Sequence, residues 1–378
     1  MEGCRLVSTK LSQQGAAAEA TRVLITGNEA IGWGAIYAGC IHYFGYPITP
    51  QNELTEFFAR ELPKIGGEFI QAESEFAAIS MVYGAAACGV RAMTTTSSPG
   101  FSLMGEGLSA IAAAEMPCLV VDVQRGGPGL GTTQTAQTDY LQATKGGGHG
   151  GYHNIVLAPA SAQEMFDFTQ LAFYLADKYR HHVLMLTDGI LGQMMESVEL
   201  KALDFGPLPA KDWALRGIAR KGGRNSVISS LKVAGMAPEL YGDYLLRINE
   251  KYQAMEENEV RCETYRTEDA DLVLVAYGSS ARIAMEAVDE ARAEGRRVGV
   301  FRPLTLWPFP KRQVRALADQ VSQFLVVEDS LGQMVEDVRA AVAERAPVHL
   351  LGILARDDKG GGGMILPGRV LQEVRELT

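Results

Sequence analysis

The run Cys118-Leu119-Val120-Val121-Asp122-Val123-Gln124-Arg125-Gly126-Gly127-Pro128-Gly129 decides the fold. Its first six residues are apolar almost throughout, which marks a central strand covered on both faces. Strands of that kind build parallel sheets, whose carboxyl ends form a rim where ligands bind. Arg125 stands at such an end, ahead of a glycine-rich loop, Gly126 to Gly131, that leaves backbone amides uncovered. Its guanidinium needs an anionic partner, and a charge-assisted bond of that kind is worth roughly 1.5–3 kcal/mol. Asp122 is the partner inside the chain; a carboxylate from outside is the other.

Two more strand ends precede this one. In Gly45-Tyr46-Pro47-Ile48-Thr49-Pro50 the prolines fix φ on both sides of Ile48-Thr49 and remove two amide donors, so the segment is a stiff turn. Thr49 then either caps a helix starting at Gln51 or faces a ligand. In Gln71-Ala72-Glu73-Ser74-Glu75-Phe76-Ala77-Ala78, Glu75 falls at a helix start against apolar neighbours. The helix dipole favours its ionised form, while desolvation by Phe76 and the alanines favours the neutral acid. Glu73 competes for the same role, and both are ordinary first-turn acids unless a ligand lies beside them. A hydroxyl, a carboxyl and a guanidinium on one rim suit activating a heteroaromatic cofactor while gripping a small carboxylate.

Working outward, strands are expected at Phe69–Gln71, Ala92–Thr96, Ile155–Ala158 and Val183–Thr187, with helices at Gln51–Glu61, Glu75–Cys88, Phe101–Ala114 and Ala162–Arg180. Val23–Gly27 reads as a further strand leading into a helix over Gly27–Tyr43. The glycines of Gly32-Trp33-Gly34 lack dinucleotide-binding spacing and suit close helix packing. Such alternation predicts an α/β fold with two parallel-sheet domains. The first covers 23–207, after a loose leader at 1–22. A polar, irregular stretch, 208–270, reads as a linker carrying a charged helix-like run at Leu240–Glu257. The second, smaller domain covers 271–378, with strands at Leu272–Tyr277, Val298–Phe301, Phe324–Glu328 and His349–Leu354, and helices at Ser280–Glu294, Pro310–Ala318 and Met334–Arg345.

A formal net charge of −10 over 378 residues argues against nucleic acid as a partner. The basic cluster Arg220–Arg224 reads as solvated linker. No apolar run approaches the roughly 20 residues that span a bilayer, and the first residues lack the apolar centre of a secretory signal. No membrane association and a cytoplasmic location are expected. Cys4, Cys40, Cys88, Cys118 and Cys262 lie far apart with no C-x-x-C pair, so neither a zinc site nor an iron–sulfur cluster can be drawn from this chain. The loop Lys145-Gly146-Gly147-Gly148-His149-Gly150-Gly151-Tyr152 lacks phosphate-loop spacing and reads as a mobile flap, with His149 a candidate proton donor. Gly360–Gly363 reads as a loop.

Six collinear motifs carry a resemblance: Gly27–Ala30, Tyr46–Pro50, Thr96–Met104, Val123–Pro128, Lys145–Gly150 and Phe301–Pro310. They resemble the α subunit of thiamine-diphosphate-dependent 2-oxoacid:ferredoxin oxidoreductases, of the branched-chain (3-methyl-2-oxobutanoate) type with separately encoded subunits. The resemblance implies a thiamine pyrimidine-binding domain followed by a transketolase C-terminal-like domain. It implies that Glu75 bonds N1′ of the aminopyrimidine, and that Thr49 and Arg125 hold the 2-oxoacid, Arg125 at its carboxylate. The reaction it implies is CoA-dependent oxidative decarboxylation with reduction of ferredoxin.

Thr187-Asp188-Gly189 departs from the Gly-Asp-Gly that binds Mg²⁺-diphosphate in thiamine enzymes, and the next asparagine is Asn225. The resemblance therefore implies a β subunit carrying the Mg²⁺-diphosphate half and a [4Fe-4S] cluster. It further implies a γ subunit and a ferredoxin-like δ subunit with more clusters, so that this chain is inactive alone. The ending Arg356–Gly363 departs from the Gly-Arg-Pro-Gly-Gly type of the group.

Overall fold

The computed structural model describes residues 21–215, 238–354 and 364–378. The expected leader lies almost wholly outside them, and the Arg220–Arg224 cluster and the whole Arg356–Gly363 ending, with its Gly360–Gly363 loop, lie outside them too.

Seven strands form the first sheet, in the order Thr305–Trp307, Ile155–Leu157, Val183–Asp188, Leu119–Gln124, Ala92–Thr96, His42–Gly45 and Glu68–Gln71. The apolar Leu119–Gln124 strand is the middle one and all six of its residues are buried. Its neighbours run parallel to it on both sides, with Thr96 beside Asp122 and Gln124 beside Asp188. Helices follow the strands at the carboxyl rim: Asn52–Glu61, Glu75–Ala87, Ser98–Leu103 and Gly189–Gln193. The helix expected over Phe101–Ala114 is two, breaking at Met104 between Ser98–Leu103 and Gly105–Ala114.

The glycines at the start of the chain do pack closely. A Cβ on Gly32 would stand 2.3 Å from the Phe57 ring, and one on Gly34 would stand 2.5 Å from the Phe166 carbonyl. Helix Gly27–Tyr37 thereby lies against helix Ala162–Tyr179. The strand preceding it, Thr21–Thr26, corrects one expectation. It does not enter the parallel sheet but pairs antiparallel with Met195–Leu200 in a separate two-stranded ribbon. Leu24 is 65% exposed, so the run has a wet face that a central strand would lack.

The second sheet has five strands, in the order Val348–Leu351, Gln323–Val327, Leu272–Val275, Val298–Pro303 and Cys262–Tyr265, the last antiparallel. The stretch 208–270 is therefore more than a connector: it contains helix Pro238–Asn258 and this edge strand. Nor is the second unit merely tethered. Thr305–Trp307 completes the first sheet as its antiparallel edge. One apolar core runs through the first sheet and on to Val273, Val275 and Phe324 of the second. A smaller core lies on the other face of the second sheet, where Leu272, Leu274 and Val300 meet helices Gly278–Ala293 and Pro367–Leu377. The alternation of inward residues along Leu272–Val275 divides that strand between the two cores. Among the described residues no helix is long and apolar enough to cross a membrane.

Candidate active site on the rim of the first sheet

Glu75 opens the helix Glu75–Ala87, whose cap is the preceding Ser74: its hydroxyl oxygen accepts from the Ala77 amide at 3.2 Å. The cap leaves the Glu75 side chain without a capping duty. It is 5% exposed, and no hydrogen bond from a described residue reaches its carboxyl. Phe76 does not cover it, being 48% exposed itself. The carboxyl lies instead over Gly100 at the next strand end. A Cβ there would stand 2.5 Å from Glu75 Oε1 and 2.1 Å from Thr96 Oγ1. Thr96 Oγ1 and Ser97 Oγ are both buried without a partner. Glu73, by contrast, is exposed.

Arg125 is 6% exposed, and its guanidinium is held by two carbonyls, donating to Thr49 O at 2.9 Å and Leu130 O at 2.8 Å. Its Nε is buried without a partner. Asp122 is not its partner, and among the described residues Arg125 makes no ion pair. Asp122 sits beside Asp139 instead; burial, then the Asp139 charge, hold its carboxyl well above the usual carboxylate range. Burial also raises Asp139, against the pull of its Ser98 hydrogen bond and the Arg125 charge.

Thr49 is half-buried and does not cap the following helix, which starts at Asn52 with no side-chain cap. Its hydroxyl oxygen accepts from Asn52 Nδ2 at 3.4 Å, and its carbonyl anchors Arg125. The stiff turn thus ties two of the expected rim residues together. Gly189 closes the gap beside it: a Cβ there would stand 3.0 Å from Pro50 Cγ.

His149 is exposed, in a loop packed on the start of helix Gly105–Ala114, where a Cβ on Gly148 would meet the Gly105 carbonyl at 2.1 Å. No described contact brings it to Glu75 or Arg125. Cys40 and Cys118 are buried, and burial pushes the Cys40 thiol up to about 12. Among the described residues no group of three or more His, Cys, Asp or Glu is arranged to hold a metal ion.

Sequence reading missed the seam between the units. Gln137 Nε2 donates to the Tyr277 carbonyl at 3.0 Å and to Asp188, while its Oε1 accepts from the Asp329 amide at 3.0 Å and from Ser280 Oγ at 2.9 Å. Asp188 also accepts from the Ser279 amide and from Gln124 Nε2. Burial lifts Asp188 to about 6. Burial and the nearby Asp188 charge lift Asp329 to about 7. Gln137 lies in Thr135-Ala136-Gln137-Thr138-Asp139, a polar run with no periodicity to single it out.

Comparison with known proteins agrees with this architecture. Residues 33–266 match the family described as "Pyruvate flavodoxin/ferredoxin oxidoreductase, thiamine diP-bdg", and 270–360 match "Pyruvate:ferredoxin oxidoreductase core domain II". The chain belongs to the α-type subunits of the 2-oxoacid:ferredoxin oxidoreductases. Among this family, it is 49% identical over 355 residues to the ketoisovalerate oxidoreductase subunit VorB of Methanothermobacter marburgensis, covering 94% of this chain and 97% of that one. It is 37% identical to the 2-oxoglutarate synthase subunit KorA of Methanocaldococcus jannaschii, covering 90% and 96%. The solved 2-oxoglutarate:ferredoxin oxidoreductase from Magnetococcus marinus, with 2-oxoglutarate, coenzyme A and succinyl-CoA bound, superposes with a TM-score of 0.81 at 26% identity. That match covers 99% of this chain and 73% of that one. A split-gene transketolase, an inactive β4 tetramer, shares the fold at TM-score 0.57 and 15% identity, covering 93% and 97%. As in its oxidoreductase relatives, this α-type subunit combines a thiamine-binding α/β unit with a second α/β unit.

Proposed function

We propose that the chain is the α subunit of an enzyme that converts a branched-chain 2-oxoacid, such as 3-methyl-2-oxobutanoate, and coenzyme A to acyl-CoA and carbon dioxide. The two electrons released pass singly through iron–sulfur clusters to ferredoxin. Residues 23–207 form the pyrimidine-binding unit and 271–378 the transketolase C-terminal-like unit. The observation that carries this reading is a buried, unengaged carboxyl at Glu75, on the same rim as the guanidinium of Arg125.

Thiamine diphosphate, when bound, supplies the electron sink that decarboxylation needs. The residues present fit its aminopyrimidine end. With no Cβ on Gly100, Glu75 Oε1 and Thr96 Oγ1 close on that backbone position, and the Glu75 carboxyl is left without a donor from the described residues for the ring to supply. Glu75 holds a proton at N1′ of that ring and thereby controls proton transfer elsewhere on it. Arg125 grips the substrate carboxylate, with its buried Nε as a further donor, and Thr49 hydrogen-bonds the 2-oxoacid beside it. Asp188, held by Ser279, Gln137 and Gln124, has its lone pairs engaged at the seam. On this reading, the Mg²⁺-diphosphate half and a [4Fe-4S] cluster belong to a β subunit, as the family resemblance implies, with γ and ferredoxin-like δ subunits completing the complex.

The test is CoA-dependent reduction of a low-potential acceptor by the assembled complex, given a panel of 2-oxoacids. Thiamine copurifies with the complex, and 3-methyl-2-oxobutanoate gives the highest kcat/KM. If 2-oxoglutarate clearly exceeds it, the branched-chain assignment falls while the reaction stands. If no 2-oxoacid supports reduction, the reaction itself falls.

A further inference from the structure

Arg125 is held twice over, and only one of the two grips is explained by the carbonyls that take its guanidinium. The other grip is on its backbone. The Arg125 amide donates to Ser98 Oγ at 3.0 Å, and the Arg125 carbonyl accepts from Thr138 Oγ1 at 3.0 Å. Ser98 has one proton to give. Two acceptors stand within reach, the Arg125 carbonyl at 3.3 Å and Asp139 Oδ2, which is closer. The carboxylate takes it, because a charge-assisted bond is about twice as strong as a neutral one. With its proton on Asp139, the Ser98 lone pair faces the Arg125 amide. Asp139 is fixed in turn, its amide donating to Gln124 Oε1 at 3.2 Å.

The charges are consistent with that direction. Asp122 and Asp139 are buried together, and the group deeper in the strand, Asp122, has both carboxyl oxygens without a hydrogen-bond donor. Asp122 accordingly keeps the proton, and Asp139 keeps the charge that orients Ser98 and faces the Arg125 guanidinium.

We propose that Asp139, acting through the Ser98 hydroxyl, is a positioning residue that sets the direction in which Arg125 presents its guanidinium to the 2-oxoacid carboxylate. The proposal rests on the reading of Arg125 as the carboxylate anchor. Neither Ser98 nor Asp139 is required to touch substrate. Their effect falls on how well the anchor is aimed, and a misaimed anchor loses binding before it loses chemistry.

The experiment uses the assembled complex with Ser98→Ala, Asp139→Asn, the double variant and Arg125→Gln, measuring steady-state constants and thermal unfolding. Each single positioning variant raises KM for the 2-oxoacid about tenfold, with kcat within about twofold and KM for coenzyme A unmoved. The double variant is no worse than the more affected single, because the two residues form one relay. An unchanged KM in both singles overturns the proposal. So does a fall in kcat and unfolding temperature at constant KM, which would make the pair a structural brace. Should Asp139→Asn fail to assemble, Ser98→Ala decides alone, since it removes a single oxygen. Arg125→Gln separates the two levels. If it leaves KM for the 2-oxoacid unmoved, the anchor reading fails; if it raises KM while the positioning variants do not, only the positioning role fails.

Discussion

Glu75 and Glu328 hold equivalent stations in the two sheets. Each is a buried acid where the chain passes from the end of a parallel strand into a helix, Glu75 as the helix's first residue and Glu328 in the loop before it. Glu328 accepts from the amides of Gln333, Met334 and Val335 at 3.0, 2.9 and 3.1 Å, and from Ser330 Oγ at 2.9 Å. Its carboxylate is consumed by holding the start of helix Met334–Val342. Glu75 has Ser74 to do that work and accepts nothing from the described residues. With Ser74 capping the helix, the Glu75 carboxyl is not needed for folding there and is free to meet a ligand at the rim. On the proposed function, this place in the fold serves stability in the second unit and chemistry in the first.

Substitution at the two acids gives the sharpest separation. Glu75→Gln is expected to lower turnover of the complex by about 10²–10⁴-fold, the range for loss of a general acid–base group, with little change in unfolding temperature. Retained turnover there, together with loss in Glu73→Gln, would move the role to the exposed acid. Gly100→Ala comes next. Its methyl would stand 2.5 Å from Glu75 Oε1, so the carboxyl must shift. A fall of about tenfold or more in turnover, with unchanged circular dichroism and weaker thiamine retention, is the expected result. Wild-type kinetics would show that the carboxyl has room to spare and that its fit to the ring is not set by this contact.

Glu328→Gln reverses the pattern. The neutral amide loses the charge-assisted component of its bonds to the helix start, a cost of about 1–3 kcal/mol. Unfolding of the chain then moves down by several degrees, while kcat per assembled complex stays within about twofold. A turnover loss as large as that of Glu75→Gln would erase the distinction between the two stations.

Much of this was legible in the sequence, and the limits have physical causes. The middle strand declared itself through the unbroken apolar run Cys118–Val121, resumed at Val123, which marks a strand covered on both faces; all six residues of Leu119–Gln124 are buried. The prolines around Thr49 and the glycines after Arg125 announced a turn and a loop through backbone restriction alone. What stayed hidden depends on contacts between distant segments. Whether Arg125 met Asp122 or carbonyls turned on Thr49 and Leu130, and Thr49 is 76 positions away. The strand Thr305–Trp307 is three residues long and takes its identity from Ile155–Leu157 in the other unit. Thr21–Thr26 looked like the first strand of the sheet because β propensity says nothing about which partner a strand finds. Gln137 binds both units with one amide, and an isolated glutamine in a polar run carries no signal of that kind.

The seam itself offers the smallest expected effect and a contrast with both glutamates. Asp188 and Asp329 are buried across the junction of the two units, lifted to about 6 and about 7, and only Asp188 has donors. In the unfolded chain both titrate near the ordinary aspartate value of about 3.9. Groups raised in the folded state bind protons there that the unfolded chain has already released. Their contribution to stability is therefore full below the unfolded value and is lost as pH rises through about 6 and then about 7. Asp329→Asn removes one of the two titrations and supplies an amide that can donate to Asp188. At pH 8 this variant is expected to be more stable than the parent by about 1–2 kcal/mol. Each tenfold difference in proton affinity between folded and unfolded chain is worth about 1.4 kcal/mol, before relaxation and water entry reduce it. At pH 5, nearer the unfolded value, the advantage should shrink. Thermal unfolding at both pH values measures the difference between the slopes. Parallel curves would mean that Asp329 keeps its proton, or its charge, at no cost to the seam, and that the second unit is docked by its apolar core and the Gln137 bonds alone.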